Sequence, residues 1–125
     1  MRTTVETAYE VSIRVNIHAL VSELNQNLGS PVVQAITGTK DRGMPAQWGR
    51  PDGPEPRQQV TARLRLGYRV WKLLCDAEGK DVALAWMVGS NPRLNEQTPV
   101  TVIRELNAAQ VIGAAEAFIN GPVAA

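Results

Sequence analysis

Residues 86–104 read Trp-Met-Val-Gly-Ser-Asn-Pro-Arg-Leu-Asn-Glu-Gln-Thr-Pro-Val-Thr-Val-Ile-Arg. This stretch decides how the chain is put together. An apolar helix end reaches Gly89, and Asn91-Pro92 breaks it. A polar loop follows, with Leu94 in its middle. Thr98-Pro99 then restarts a helix: the threonine hydroxyl caps it, and proline suits the first turn because its missing N–H would be unpaired there. The expected joint holds two helices at a fixed angle by backbone rigidity and one buried leucine. It carries no catalytic group, so function depends on what the flanking helices present.

Towards the C-terminus, one helix is expected over about Pro99 to Leu106. Another, over about Ala108 to Asn120, carries Val111, Ile112, Ala115, Phe118 and Ile119. The tail Gly121-Pro122-Val123-Ala124-Ala125 is small and uncharged in its side chains. Such a tail either stays disordered or reaches into a partner. Towards the N-terminus, about Lys80 to Val88 forms a helix with Val82, Ala83, Leu84, Trp86 and Met87.

Before it, the longest helix is expected over about Arg57 to Asp76. At 100° per residue, Val60, Leu64, Leu66, Val70, Trp71, Leu73 and Leu74 form a wide apolar arc, and Arg65, Arg69 and Lys72 lie opposite. An arc that wide marks the central core helix. Gly67 falls inside it and permits close helix approach, and Cys75 borders it as a small hydrophobe.

Residues 49–56, Gly-Arg-Pro-Asp-Gly-Pro-Glu-Pro, make a restrained loop. Upstream, Ile17, Leu20, Val21, Leu24 and Leu28 share one face of a helix capped by Asn16 and ended by Gly29. His18 lies beside that stripe as a boundary residue. A short second helix has Ser30 as its cap, Pro31 in its first turn and Gly38 as its stop. The pattern suggests a helix-turn-helix. Its third helix would run from Thr39 or Asp41 to a core anchor at Trp48, with polar residues at the start, where base edges and phosphates are met. Gly43 and Pro45 oppose that extent, since an interior glycine costs about 1 kcal/mol and an interior proline about 3 kcal/mol. The alternative is a short helix from Met44, which leaves Lys40 and Arg42 on a loop.

Residues 5–15 alternate, with Val5, Thr7, Tyr9, Val11, Ile13 and Val15 on one side, as a strand would. A lone strand leaves backbone groups unpaired. This arm therefore pairs with a second copy, making a homodimer, pairs with a partner protein, or frays as a tail.

The 125 residues suit one domain with a real core, and 44% hydrophobic with 20% charged residues is a folded composition. No apolar run approaches the ~20 residues that cross a bilayer, and the first ten residues lack an apolar signal core. The expected location is cytoplasmic, with no membrane partner. One cysteine and one histidine make neither an internal disulfide nor a zinc site. No nucleophile–base–acid set and no phosphate-cradling glycine loop after a strand occurs. Asp76, Glu78 and Asp81 suit a helix junction better than a metal. The expectation is a non-enzyme without cofactor or metal.

Net charge is +1 but uneven. Lys40, Arg42, Arg50, Arg57, Arg63, Arg65, Arg69 and Lys72 face only Asp41, Asp52 and Glu55 in residues 39–72, whereas residues 73–125 are net acidic. A basic middle fits a phosphate-binding surface. A solvated basic helix face has the same composition. The candidate DNA-contacting residues are Thr39, Lys40, Arg42, Gln47, Arg50, Arg57, Arg65 and Arg69.

The order of parts resembles the antitoxins of the Xre/MbcA/ParS type over roughly residues 17–120. The C-terminal region of that family has a Trp helix, Asn-Pro-x-Leu, a short polar stretch, and Ser/Thr-Pro before an apolar helix carrying an Arg. Here these are Trp86, Asn91, Pro92, Leu94, Thr98, Pro99, Ile103 and Arg104. Trp48 and Trp71 are the other expected structural anchors. The resemblance implies an all-α protein in three parts: an N-terminal arm (1–15), a helix-turn-helix head (16–56) and a C-terminal helical partner-binding region (57–125). It implies neutralisation of a RES-domain toxin, a family that consumes NAD⁺, and binding of double-stranded promoter DNA by the head. In such complexes the antitoxin's C-terminal end helps close the toxin's active site. Carried over, Phe118, Ile119, Asn120, Pro122 and Val123 would lie at that mouth. Gly43 and Pro45 depart from the regular recognition helix of the family, and the alternating arm has no counterpart in its pattern. Two other functions suit the same residues: a stand-alone DNA-binding regulator, phage- or prophage-related, and a protein–protein module whose DNA head has decayed.

Overall fold

The computed structural model describes residues 16–121, and among these it contains seven α-helices, one 3₁₀ turn and no strand. The helices are α1 (Ile17–Leu28), α2 (Ser30–Thr37), α3 (Met44–Trp48), α4 (Gln58–Glu78), α5 (Lys80–Val88), α6 (Pro99–Arg104) and α7 (Ala108–Asn120). The 3₁₀ turn, Pro92–Leu94, lies between α5 and α6. The described protein is all-helical, as the periodicities require. The alternating stretch 5–15 lies outside the described residues.

α1 buries its whole predicted stripe, from Ile17 through Leu28. Asn16 caps it, its side-chain oxygen accepting from the N–H groups of His18 and Ala19 at 2.9 and 3.4 Å. One residue, Gly29, separates α1 from α2. Its φ of +90° belongs to glycine alone at low cost. So tight a joint corrects one expectation: Ser30 is already helical and makes no side-chain cap, and Gly29 occupies the cap position instead.

α3 has only five residues, with Gly43 before it and Pro45 in its first turn. The longer helix from Thr39 or Asp41 does not form, for the reasons of cost that Gly43 and Pro45 carry. Trp48 is buried, as an anchor must be. The His18 ring Nδ1 lies 2.8 Å from the Trp48 carbonyl, and Asn25 Nδ2 donates to Pro45 O at 2.9 Å, so α1 holds both ends of α3.

α4 is the central element and packs on α1, α2, α5, α6 and α7. Leu64, Leu66, Val70, Trp71, Leu73 and Leu74 are buried along it, while Val60 is half-buried. Arg57 stands at its cap position, and the helix continues past Asp76 to Glu78. A methyl group on Gly67 would sit 3.2 Å from Ile36 Cδ1 and 3.7 Å from Ile103 Cγ2, so α2 and α6 approach α4 there as closely as the missing side chain permits. A single apolar cluster joins α1 through α7.

α6 ends at Arg104, two residues before the expected Leu106. Leu106 takes a left-handed φ of +61°, its N–H bonding Ile103 O while the Asn107 N–H bonds Val102 O. This paired closure terminates a helix at once, and here a leucine fills a position that glycine normally takes.

Candidate nucleic-acid and partner interfaces

The joint between α5 and α6 is a closed loop of backbone bonds. The Asn91 carbonyl accepts from the N–H groups of Leu94 and Glu96, and the Asn91 N–H donates to Gln97 O at 3.1 Å. The Asn91 side chain accepts from Arg93 N–H at 2.9 Å. Asn95 and Glu96 both adopt left-handed φ values to close the turn. Leu94 is buried beneath it, and Thr98 accepts from Thr101 N–H at 3.2 Å to start α6 with Pro99 buried in its first turn. The motif residues Asn91, Pro92, Leu94, Thr98 and Pro99 thus fix the direction of α6 and, through the Leu106 closure, of α7.

Arg104 of α6 reaches the C-terminal end of the adjacent α2. Its Nη1 donates to Ala35 O at 3.3 Å. Arg63 of α4 donates from Nε to the Arg104 carbonyl at 2.7 Å and from Nη1 to Thr37 O at 2.8 Å. Two guanidinium groups therefore satisfy carbonyls that α2 cannot pair internally, and their charge suits the negative end of the helix dipole. Arg63 was not singled out for any role by the sequence. Its signal was there: positions 63, 67, 70 and 74 share one helical face, and the other three are buried.

Beyond Thr37 the chain makes an orderly ladder. Thr39 N–H donates to Thr37 Oγ1, Asp41 N–H to Thr39 Oγ1, and Gly43 N–H to Asp41 Oδ1, at 3.3, 3.3 and 2.8 Å. Odd-numbered side chains turn back onto the loop; Lys40 and Arg42 between them are exposed, with no carboxylate in ion-pair range among the described residues. Gln47 on α3 and Arg57 at the start of α4 are exposed as well. Arg50 is exposed and pairs with Asp52 at 3.3 Å. Arg65 and Arg69 are half-buried and already engaged in interactions. They also stand apart, since Arg69 lies roughly 18 Å along the axis from Arg57 at 1.5 Å per residue. The proposed DNA set therefore divides: Thr39, Lys40, Arg42 and Gln47 gather at the head, and Arg65 and Arg69 belong to the flank of α4. Lys72 pairs with Asp76 at 3.5 Å.

At the other end, α5 and α7 meet through an aromatic pair. The Trp86 and Phe118 ring centres are 6.2 Å apart at a 41° tilt. Phe118 remains 40% exposed, and Val82, one turn before Trp86, is 42% exposed. Ile119 is half-buried against the core and Asn120 is exposed. Gly121 closes α7, its N–H bonding Phe118 O. Pro122 and Val123 lie outside the described residues.

A shallow apolar cleft of about 230 Å³ lies between α2, the end of α5 and the start of α6, lined by Pro31, Val32, Ala35, Val88, Thr98 and Val100. Among the described residues, no group of His, Cys, Asp and Glu is placed to hold a metal, and no helix is long and apolar enough to cross a membrane. Burial pushes the Cys75 thiol above its ordinary range, with the Asp76 carboxylate acting in the same direction. The chain matches no protein-family model, no curated protein and no solved structure.

Proposed function

We propose that this protein is an antitoxin of the Xre/MbcA/ParS type. Its C-terminal helices bind and neutralise a RES-domain toxin, and its head represses the operon by binding promoter DNA. It acts in the cytoplasm as a homodimer, without cofactor, metal or catalysis of its own. The observation that carries this proposal is the exposed Phe118 ring, which leans on Trp86 from within the last turn of α7. Aromatic side chains are enriched among the anchors of protein interfaces, and one left partly exposed beside a core is free to serve as such. The closed Asn91–Gln97 loop supports the proposal, because it fixes the angle at which α6 and α7 leave the joint.

The test is co-expression with the product of the adjacent open reading frame, which the proposal expects to be a RES-type toxin. Relief of growth arrest, lost when residues 118–125 are deleted, supports the function. Persisting arrest with the full chain present contradicts it.

A stand-alone DNA-binding regulator is the second reading, favoured by the exposed Lys40 and Arg42 on a hydrogen-bonded loop, neither in an ion pair with a described residue. Operator binding by the isolated protein would then weaken steeply with salt while no RES-type protein co-purifies.

A further inference from the structure

We infer that two copies of this chain meet on the outer face of α5, with Ala85 of one against Ala85 of the other on a two-fold axis. The inference deepens the homodimer of the proposed function and rests on that part of it alone.

After Lys80 and Asp81, every residue of α5 from Val82 to Val88 is apolar. A helix that is apolar all round is expected to be covered on every side. Here Ala83 and Met87 face the core, but Val82 is 42% exposed, Val88 is 47% exposed and Ala85 between them is exposed as well. The large exposed hydrophobics among the described residues are Val82, Val88, Leu106 and Phe118. Two of them lie on this one short helix and Phe118 leans on its Trp86, so they gather into a patch rather than scatter. On the flank away from Trp86, Val88 forms a wall of the cleft of about 230 Å³, whose lining carries no charged residue.

The face is complementary to itself, which is what makes a second copy its occupant. Val82, Ala85 and Val88 stand three residues apart and form one row. A two-fold through Ala85 lays this row antiparallel on its copy, so Val82 of the second copy arrives beside Val88 and enters the cleft that Val88 borders. Rows of this kind run about 45° to the helix axis, so the two helices cross steeply. Alanine at the crossing lets the backbones come close. A two-fold axis also sets each residue near it against its own copy, where a charge would meet a like charge. The row has none, and the charges of α5 lie before it, at Lys80 and Asp81.

The test is sedimentation of the full chain from micromolar to submillimolar concentration, which should show a monomer–dimer equilibrium. Ala85→Asp and Ala85→Lys should each raise its dissociation constant about a hundredfold, and mixing the two variants should restore the dimer. Ala85 is exposed, so both variants should keep a cooperative thermal transition. In a Cys75→Ser background, oxidation should link two copies of Ala85→Cys far faster than two copies of Ala109→Cys, which alters an exposed position on α7. Dimerisation unchanged in both charge variants overturns this face and leaves a homodimer standing through another surface. Dimers lost in both variants and not restored by mixing overturn the two-fold at Ala85. A chain that stays monomeric at every concentration overturns the face and the homodimer together, while neutralisation is tested separately by co-expression. Toxin binding lost in Ala85→Asp would then give the face to the toxin, and a sharply lowered thermal midpoint in that variant would give it to residues 5–15 of the same chain.

Discussion

Arg63 of α4 and Arg104 of α6 meet over the end of α2, the Nε–H of Arg63 donating to the Arg104 carbonyl at 2.7 Å. The same guanidinium reaches Thr37 O at 2.8 Å, so one side chain ties three helices together. Thr37 is 1% exposed, and its carbonyl has no neighbour in α2 to pair with. Arg63→Ala orphans two carbonyls, and each unsatisfied buried acceptor costs about 1–3 kcal/mol. Since Arg63 is half-buried, water recovers part of that loss, and a net destabilisation of about 2 kcal/mol is expected. Urea unfolding of the two proteins measures it. Arg63→Lys should rescue little, because an ammonium cannot reproduce the two-pronged donation.

The joint that aims α6 depends on Leu94. The side chain is 2% exposed beneath a loop with two left-handed residues. Leu94→Ala should cost about 2–5 kcal/mol and lower the thermal midpoint well beyond Asn91→Ala, which removes one cap bond worth about 1 kcal/mol. Equal midpoints for the two variants would mean that the backbone closure alone holds the joint.

Two glycines should respond in opposite senses to alanine. A Cβ on Gly53 would sit 1.9 Å from the Gln47 carbonyl oxygen, so Gly53→Ala must displace the turn that joins α3 to α4. Gly113 lies inside α7, and beyond the backbone of its own turn no atom of the described residues comes within 4 Å of the added methyl. Gly113→Ala should stabilise by about 0.5–1 kcal/mol, through helix propensity and a less flexible unfolded chain. Thermal melts of both variants check the pair.

Tyr68 is 3% exposed, and its hydroxyl donates to Glu23 Oε1 at 3.3 Å. Burial first, and then the Glu23 carboxylate, push its pKa up from 10.0 to about 12. The neutral phenol is therefore favoured by folding. Its contribution is fully present below pH 10 and is lost as the pH rises from 10 towards 12. Stability followed by urea unfolding should fall across that window, and Tyr68→Phe should flatten the fall.

Much of the fold was legible because its punctuation is local. Asn16, Gly38 and Thr98-Pro99 act within a few residues of themselves, and the helices they bound appear where those residues place them. The Ser30 cap failed because the reversal from α1 to α2 needed the whole of Gly29, a constraint set by packing between two helices. The end of α6 at Arg104 was hidden because it depends on a leucine in a left-handed conformation, which no residue preference announces. For the site, the exposure of Lys40 and Arg42 followed from Gly43 and Pro45. The grouping of Arg63 with Arg104 did not, since it joins positions on α4 and α6 that only the tertiary fold brings together.

The most direct measurement is the affinity of a RES-type toxin for the full chain, for Phe118→Ala and for a chain ending at residue 117, each first shown to be folded by its thermal transition. Phe118 is 40% exposed, so its truncation should cost little stability while weakening toxin binding by 2 kcal/mol or more, on the order of thirtyfold. The shortened chain should bind too weakly to co-purify. Toxin binding that is unchanged in both variants would contradict the placement of the neutralising surface at the end of α7.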